Sequence, residues 1–514
     1  MKKIIKYLFL LTGGSFILAS CNDFLDREPL DSVTPDNFFF TENDLAAYAV
    51  KHYNFTTHEG FNAGIWKNDN ATDNQAATDY DKKWIPGQWK VPEAYDNPAS
   101  NDPWYFSTIR EANYFLETVV PRFEKGEIEG SETNIKHYIG EMYFLRAKNY
   151  LSKLETFGDF PIIKNTLPDE SESLIQASKR APRYKVAHFI LEDLDQAISL
   201  LTNNISGGKN RITKNAALLL KSRAALFEAS WLTYHKGTAL VPGGPGWPGK
   251  AEDIADFNID TEIAFFLKEA KAAAKEVIGN AALVQNTAKD CMDETVKTDE
   301  DKYKMSNPYF AQFSANSLEG YSEILMWRAY NLLDYKIVHS APFYIRVGGN
   351  TGFTRQYVES FLCRDGKPIY ATDQYKGDES LLNVRKNRDL RLQLFLMTPG
   401  ETLSPNVMNG TPDLLPEVPQ LLDITEKRCV TGYQVRKGLS GNWYRDGNTA
   451  IEGCPVYRAA EAYLNYIEAD CMEHNGTSIG SEAAGYWGDL RERAGLPRDY
   501  TVTVNNTDLS KELD

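Results

Sequence analysis

Apolar residues recur at steps of three and four through several long stretches of the chain. Ile139, Met142, Tyr143, Ala147, Tyr150, Leu151 and Leu154 fall on one face of a helix. Phe144 and Leu145 widen that stripe, which predicts a helix covered on two sides, as inside a stacked helical array. Tyr184, Ala187, Ile190, Leu191, Leu194, Ala197, Ile198 and Leu201 give a second helix, and residues 216–231 a third. The turn at Gly207-Gly208 lies between them, so the two predict a helical hairpin. Residues 104–123, 262–278 and 456–472 are further helical candidates. The spacing keeps no strict 34-residue period, so the repeat is tetratricopeptide-like at most. Residues 55–103, 235–260, 341–380 and 398–450 show no sustained periodicity, and loops of that length are usually functional or packed on a partner.

The first 21 residues stand apart from this pattern. Lys2, Lys3 and Lys6 precede an apolar stretch from Tyr7 to Ala19, too short to span a bilayer comfortably. It ends in Leu18-Ala19-Ser20-Cys21, which resembles a bacterial lipoprotein signal. That resemblance implies cleavage before Cys21 and acyl chains on Cys21, each buried methylene contributing about 0.8 kcal/mol to membrane anchoring. Removing residues 1–20 leaves 53 basic against 71 acidic side chains, a net −18. The body should therefore be repelled by anionic lipid rather than lie on it. Asn22, Asp23, Asp26 and Glu28 follow the anchor; they read equally as a tag for display on the outer face and as a polar tether.

The 514 residues, 42% hydrophobic and 25% charged, have the composition of a folded globular body. The full chain carries −15 and no strong basic block, which argues against a nucleic-acid partner. Cys291, Cys363, Cys429, Cys454 and Cys471 are odd in number and lack C-x-x-C spacing, suggesting neither a zinc site nor a full disulfide framework.

Several blocks, in order, resemble the SusD/RagB family of outer-membrane lipoproteins. Cys21-Asn-Asp-Phe-Leu-Asp26 with Pro35, Asn37 and Phe38 is similar to the family's opening, and Trp104-Tyr-Phe-Ser-Thr-Ile-Arg-Glu-Ala-Asn113 to its first long helix. Gly140-Glu-Met-Tyr-Phe-Leu-Arg-Ala-Lys-Asn-Tyr150, continuing to Phe157-Gly-Asp-Phe-Pro161, is the most specific block. Arg211-Ile-Thr-Lys-Asn-Ala-Ala217, Asn387-Arg-Asp-Leu-Arg391, the segment from Tyr457 to Ala469 and Leu490-Arg-Glu-Arg-Ala-Gly-Leu-Pro497 complete the series. The resemblance implies a mainly α SusD-like fold: one domain over 21–514, helical hairpins mainly within 104–280 and 455–495, and a loop-rich subregion at about 281–454. Family members usually continue past the last block into another helix, so the resemblance also implies a truncated C-terminus. In function it implies a surface-exposed lipoprotein, without catalysis, that binds an oligosaccharide and delivers it to a TonB-dependent transporter in the outer membrane. A peptide-binding uptake protein on the same scaffold is the alternative, and an anchored glycoside hydrolase ranks last.

The search for chemistry returns little else. Gly244-Pro-Gly-Trp-Pro-Gly249 fits a dinucleotide fingerprint by letter, but no strand precedes it and two prolines interrupt the helix start. The seven His form no metal-binding pair, and Asp293, Glu294, Asp299, Glu300 and Asp301 lack the 12-residue calcium loop with its glycine. No cofactor or metal is implied. Asp389 and Arg391 read as an ion pair tying a loop to the helices. The tryptophans are more informative: Trp66, Trp84, Trp89 and Trp104 put four of nine within 39 residues rich in Asn, Asp, Gly and Pro. Sugar rings stack their C–H faces on indole while amides and carboxylates such as Asn68, Asp69, Asp73 and Asn74 hold the hydroxyls. Trp66, Trp84, Trp89, Tyr95, Trp247 and Trp327 are therefore the candidate ligand-binding residues, each open to the alternative of anchoring a loop.

Overall fold

The computed structural model describes residues 38–59, 64–70, 72–79, 85, 104–287, 307–334, 336–400, 402–404, 413–414, 420–440 and 448–512. After a short α1 (Glu42–Lys51), five long helices follow: α2 (Ser107–Glu124), α3 (Glu132–Phe157), α4 (Arg183–Leu200), α5 (Lys214–Tyr234) and α6 (Ile259–Asn280). Each of these packs on the next. A long insertion then carries β2 (Ile324–Arg328), α7 (Ala341–Val347), β3 (Thr351–Phe353), α8 (Arg355–Ser360) and α9 (Leu390–Phe395). β1 (Gln75–Ala77) lies upstream, between α1 and α2. The chain returns through β4 (Cys454–Arg458) to α10 (Ala460–Glu473), which packs on α6, and α11 (Ser481–Arg493), which packs on α10. The helical array is thus continuous across an insertion of more than 170 residues between α6 and β4.

The double-width stripe of α3 is accounted for by neighbours on several sides, since it packs on α1, α2 and α4. Ile139, Met142, Phe144, Leu145, Tyr150, Leu151 and Leu154 are all buried. Gly140 sits mid-helix, where glycine costs about 1 kcal/mol relative to alanine. The reason is proximity: a Cβ there would stand 3.0 Å from the Leu201 side chain and 3.1 Å from that of Leu200. Buried ion pairs fix the stacking register. Arg146 of α3 donates to Asp193 of α4 through two 2.7 Å bonds, and Arg183 of α4 donates Nη2 to Glu228 of α5 at 2.8 Å. Such pairs contribute little net stability but cost about 3–5 kcal/mol when one partner is removed.

Two sequence expectations need correction. Residues 456–472 are not all helix: Cys454–Arg458 is a strand, antiparallel to β2 in the register Ile324↔Arg458 and Arg328↔Cys454. Val456 and Tyr457 favour a strand, but the partner lies some 130 residues earlier, and local periodicity carries no trace of it. Nor does the helix expected from residue 104 begin there. Trp104 and Phe106 precede α2 and pack edge-on and stacked against Phe160, at 4.8 Å and 5.0 Å. The aperiodic stretch 341–380 holds α7 and α8, of 7 and 6 residues, too short to print a helical period.

The insertion has its own apolar core, built on Tyr309, Phe310, Phe313, Tyr344, Ile345, Leu392, Leu394 and Phe395 and joined by Trp66. β1 pairs antiparallel with β3 (Gln75↔Phe353, Ala77↔Thr351), stitching the segment that carries Trp66 onto this core. Among the described residues, no helix is long and apolar enough to cross a membrane.

Candidate functional site

A cavity of about 1040 Å³ opens between the insertion core and the corner where β4 turns into α10. Its volume is at the upper end of the range for small-ligand sites, about 300–1000 Å³. Segments distant in sequence supply its wall. The turn Ile65–Lys67 brings Trp66, whose backbone carbonyl accepts from Gln75 Nε2 at 3.1 Å, while the same amide donates to Thr351 Oγ1 at 2.7 Å. Thr354 caps α8, its Oγ1 accepting from Tyr357 N at 3.1 Å. The helix then presents Tyr357, with Phe361 following it. These two rings meet edge to face at 5.0 Å, with Phe353 5.2 Å from Tyr357. Tyr357 and Phe361 are only half-buried, so their rings keep surface for a ligand, whereas Tyr309, Phe313 and Phe395 are buried in the core behind them.

Charged groups complete the wall. Asp389 caps α9 by accepting from Arg391 N at 2.8 Å, and its carboxylate also accepts from Arg391 Nη2 at 2.6 Å. The expected pair is therefore present, but it is local to two residues and lies beside the cavity. The tie to the helical array is instead a backbone bond from Leu390 N to Ala494 O at 2.9 Å. Arg391 remains 44% accessible although protein surrounds it, because its exposed surface faces the cavity. The Asp389 carboxylate holds its pKa above the usual arginine value. Arg458, at the end of β4, donates to Glu323 at 2.8 Å, and Glu461 of α10 accepts from Arg223 at 2.6 and 2.7 Å. Lys437 also lines the cavity, its ammonium 4.5 Å from the Phe313 ring centre. Its side chain is exposed and opens onto the cavity, although the cavity walls displace part of its hydration. That desolvation, reinforced by Arg458, brings its pKa down to about 8.

Of the residues expected to bind ligand, Trp66 lines the cavity, together with Asn68 and Asp69. Trp66 is only 8% exposed, so it offers an edge rather than an open face. Asp73 and Asn74 serve instead as backbone acceptors for Thr354 at the start of α8. Trp247 stands elsewhere: its indole donates to Asp159 Oδ2 at 2.8 Å, and Asp159 Oδ1 accepts from Arg183 N at 2.8 Å, pinning the 241–249 loop to the start of α4. Trp327 is buried in β2 beside Leu318 and Ile324, its indole donating to Glu319 at 3.1 Å. Trp84, Trp89, Tyr95, Cys21 and the acidic run 293–301 lie outside the described residues. Sequence reasoning missed Tyr357, Phe361, Lys437 and Arg458. The spacing of Tyr357 and Phe361, four residues apart in an aperiodic stretch, was the one available signal.

Two family models match the chain. One, described as the SusD family, covers residues 296–513, and the other, described as starch-binding associating with outer membrane, covers residues 23–226. The chain belongs to the SusD/RagB family. Among curated relatives it is 27% identical over 203 residues to SusD-like protein P38 of Formosa agariphila, covering 38% of this chain and 37% of that protein. It is 26% identical over 258 residues to SusD-like protein P2 of the same organism, covering 49% and 45%. The matches therefore span less than half the length of either relative. Two crystal structures from Bacteroides fragilis share the fold. A SusD-like protein has TM-score 0.60 at 20% identity, covering 92% of this chain and 82% of its own. A SusD-like carbohydrate binding protein has TM-score 0.58 at 17% identity, covering 89% and 79%. The SusD-like fold of this chain is accordingly mainly α, a stacked helical array with a long irregular insertion. In this SusD family member the candidate cavity lies where insertion and array meet.

Proposed function

We propose that this protein captures an oligosaccharide in the cavity between the insertion and the helical array, without cleaving it, and passes it to a TonB-dependent transporter. The observation that carries this reading is the pairing of half-buried Tyr357 and Phe361 rings with Asn68, Asp69, Arg391 and Lys437 around one large opening. Aromatic faces suit the C–H faces of sugar rings, and the polar groups suit their hydroxyls. Neither covalent chemistry nor a cofactor is needed for capture by a largely preformed site. Family membership supports the outer-membrane setting, and Cys21 is the residue proposed to carry the lipid anchor there, with the body facing the cell exterior.

The test is a glycan-array screen of the protein beginning after Cys21, followed by calorimetry on hits and product analysis. A stoichiometric, uncleaved hit weakened about tenfold or more by Tyr357→Ala, with the fold intact by circular dichroism, supports capture at this cavity. Turnover of the glycan would move the protein to the hydrolases. Affinity for oligopeptides with none for sugars would favour peptide uptake instead.

A further inference from the structure

The charge around the cavity runs against that of the chain. The protein holds 71 acidic against 56 basic side chains, so a wall taken at random from it would be acidic. Here Arg391, Lys437 and Arg458 line the opening with Asp69 and Glu461. Glu461 is occupied by Arg223, and Asp389 by Arg391. Glu323 is shared: it accepts from Arg458 at 2.8 Å and from Arg493 at 2.6 Å, so one carboxylate answers two guanidinium groups. Lys437 has no carboxylate at ion-pair distance and no hydrogen-bond acceptor among the described residues. Its contacts are the rings of Phe313 and Phe395, at 4.5 and 5.7 Å, and the Arg458 guanidinium lies 4.9 Å from the same Phe313 ring. Lys437 is itself exposed, with its ammonium open to the cavity, so an incoming ligand can reach it without displacing a partner. An arriving anion would supply the missing partner through charge-assisted hydrogen bonds, which are roughly twice as strong as neutral ones.

We propose that the cavity selects an acidic saccharide, one whose ring carries a carboxylate or a sulfate ester, with that oxyanion seated on Lys437 and the sugar face against Tyr357 and Phe361. The proposal rests on the glycan-capture reading above and names the class of glycan. Arg458 and Arg391, each already held by a carboxylate, add longer-range attraction. Asp69 limits how many negative charges the site accepts.

The experiment compares wild type and Lys437→Met by titration calorimetry against oligosaccharides matched in length. Glucuronate oligomers are set against glucose oligomers, and sulfated against desulfated galactose oligomers. The expected result is at least tenfold tighter binding of the acidic member of one pair, and which pair responds tells carboxylate from sulfate. The preference should shrink to less than threefold in Lys437→Met, and should weaken in wild type between pH 7 and pH 9 as Lys437 loses its proton. Arg458, Arg391, Asp69 and Glu323 are the charged groups that act on or flank this ammonium. Lys437→Met should fold with a melting temperature close to that of wild type, since the side chain is exposed and makes no ion pair among the described residues. Equal binding of acidic and neutral members, or a preference unchanged in Lys437→Met, overturns the acidic-ligand proposal and leaves glycan capture standing. Binding of none of the four, together with a blank glycan array, overturns both.

Discussion

Glu323 is the position at which a single substitution should loosen the insertion from the helical array. It precedes β2, is fully buried, and its carboxylate accepts from Arg493 of α11 at 2.6 Å, from Arg458 of β4 at 2.8 Å and from the backbone N–H of Val284 at 2.9 Å. Its own carbonyl accepts from Ala459 N at 2.8 Å. Glu323→Gln keeps the shape and one acceptor oxygen, but turns an amide N–H₂ toward a guanidinium and leaves two arginines without their counter-charge. Arg493 is only 7% exposed, so loss of that pair belongs with broken buried ion pairs, about 3–5 kcal/mol. Arg458 is 27% exposed, and its share is discounted to at most about 1 kcal/mol. The sum, roughly 3–6 kcal/mol, is a large part of an ordinary folding stability of about 5–15 kcal/mol. With an unfolding entropy of about 2.1 cal/mol/K per residue, a chain of this length should lose about 3–6 °C in melting temperature if it unfolds as one unit. Scanning calorimetry with urea titration measures both quantities. The double variant Glu323→Gln with Arg493→Met should recover part of the loss, because it removes the stranded charge. A Glu323→Gln protein within about 1 kcal/mol of wild type would refute the argument that this buried carboxylate joins the two parts of the molecule.

Three further outcomes are expected. Gly349→Ala should cost about 2 kcal/mol, since φ is +56° and the new Cβ would stand 2.3 Å from the Trp66 ring; an unchanged urea midpoint and unchanged tryptophan fluorescence would refute it. Hydrogen bonds from Lys275, then Tyr466 and Tyr486, bring the Glu482 carboxyl down to about 2 from 4.5. Its contribution is therefore present above pH 4.5 and lost as pH falls toward 2; with a side chain 40% exposed it is worth less than about 1 kcal/mol, and Glu482→Gln should flatten the stability–pH curve over that window. Among the described cysteines, native-state thiol labelling read by mass spectrometry should modify part-exposed Cys471 first. Cys363 and Cys454 are buried, and burial pushes their thiols up to about 11 and about 12; early labelling of either would contradict their placement.

Much of the helical array was legible in the sequence because a helix writes its burial into a period of 3.6. The stripe from Ile139 to Leu154, widened by Phe144 and Leu145, predicted a helix covered on two sides, and α3 packs on α1, α2 and α4. Residues 184–201 and 216–231 likewise fell within one residue of α4 and inside α5. The ordered blocks around Gly140–Pro161 and Leu490–Pro497 pointed to the family for the same reason, since close helix approaches and chain exits constrain particular residues. What the sequence left open depended on contacts between segments far apart. The β2–β4 pairing joins residues about 130 apart, and only that pairing sets Arg458 beside Glu323.

The candidate site is the extreme case of this limit. Trp66 with Asn68 and Asp69 was singled out from composition, and the cavity includes all three. Trp327, as noticeable in the sequence, is buried in β2 beside Leu318 and Ile324, and the Trp247 indole is bonded to Asp159. An aromatic residue in an irregular segment looks the same whether it faces a ligand or a neighbouring helix. Lys437 gave no signal at all. A lysine in a loop reads as one more surface charge until the fold sets it at a cavity beside Phe313, Phe395 and Arg458, with no carboxylate among the described residues at ion-pair distance. Sequence alone therefore determined the helices, the charge and the family, all of which are written locally. The tertiary structure decided which side chains share a cavity and which charges lack a partner, because those depend on distances in space between segments that the chain keeps far apart.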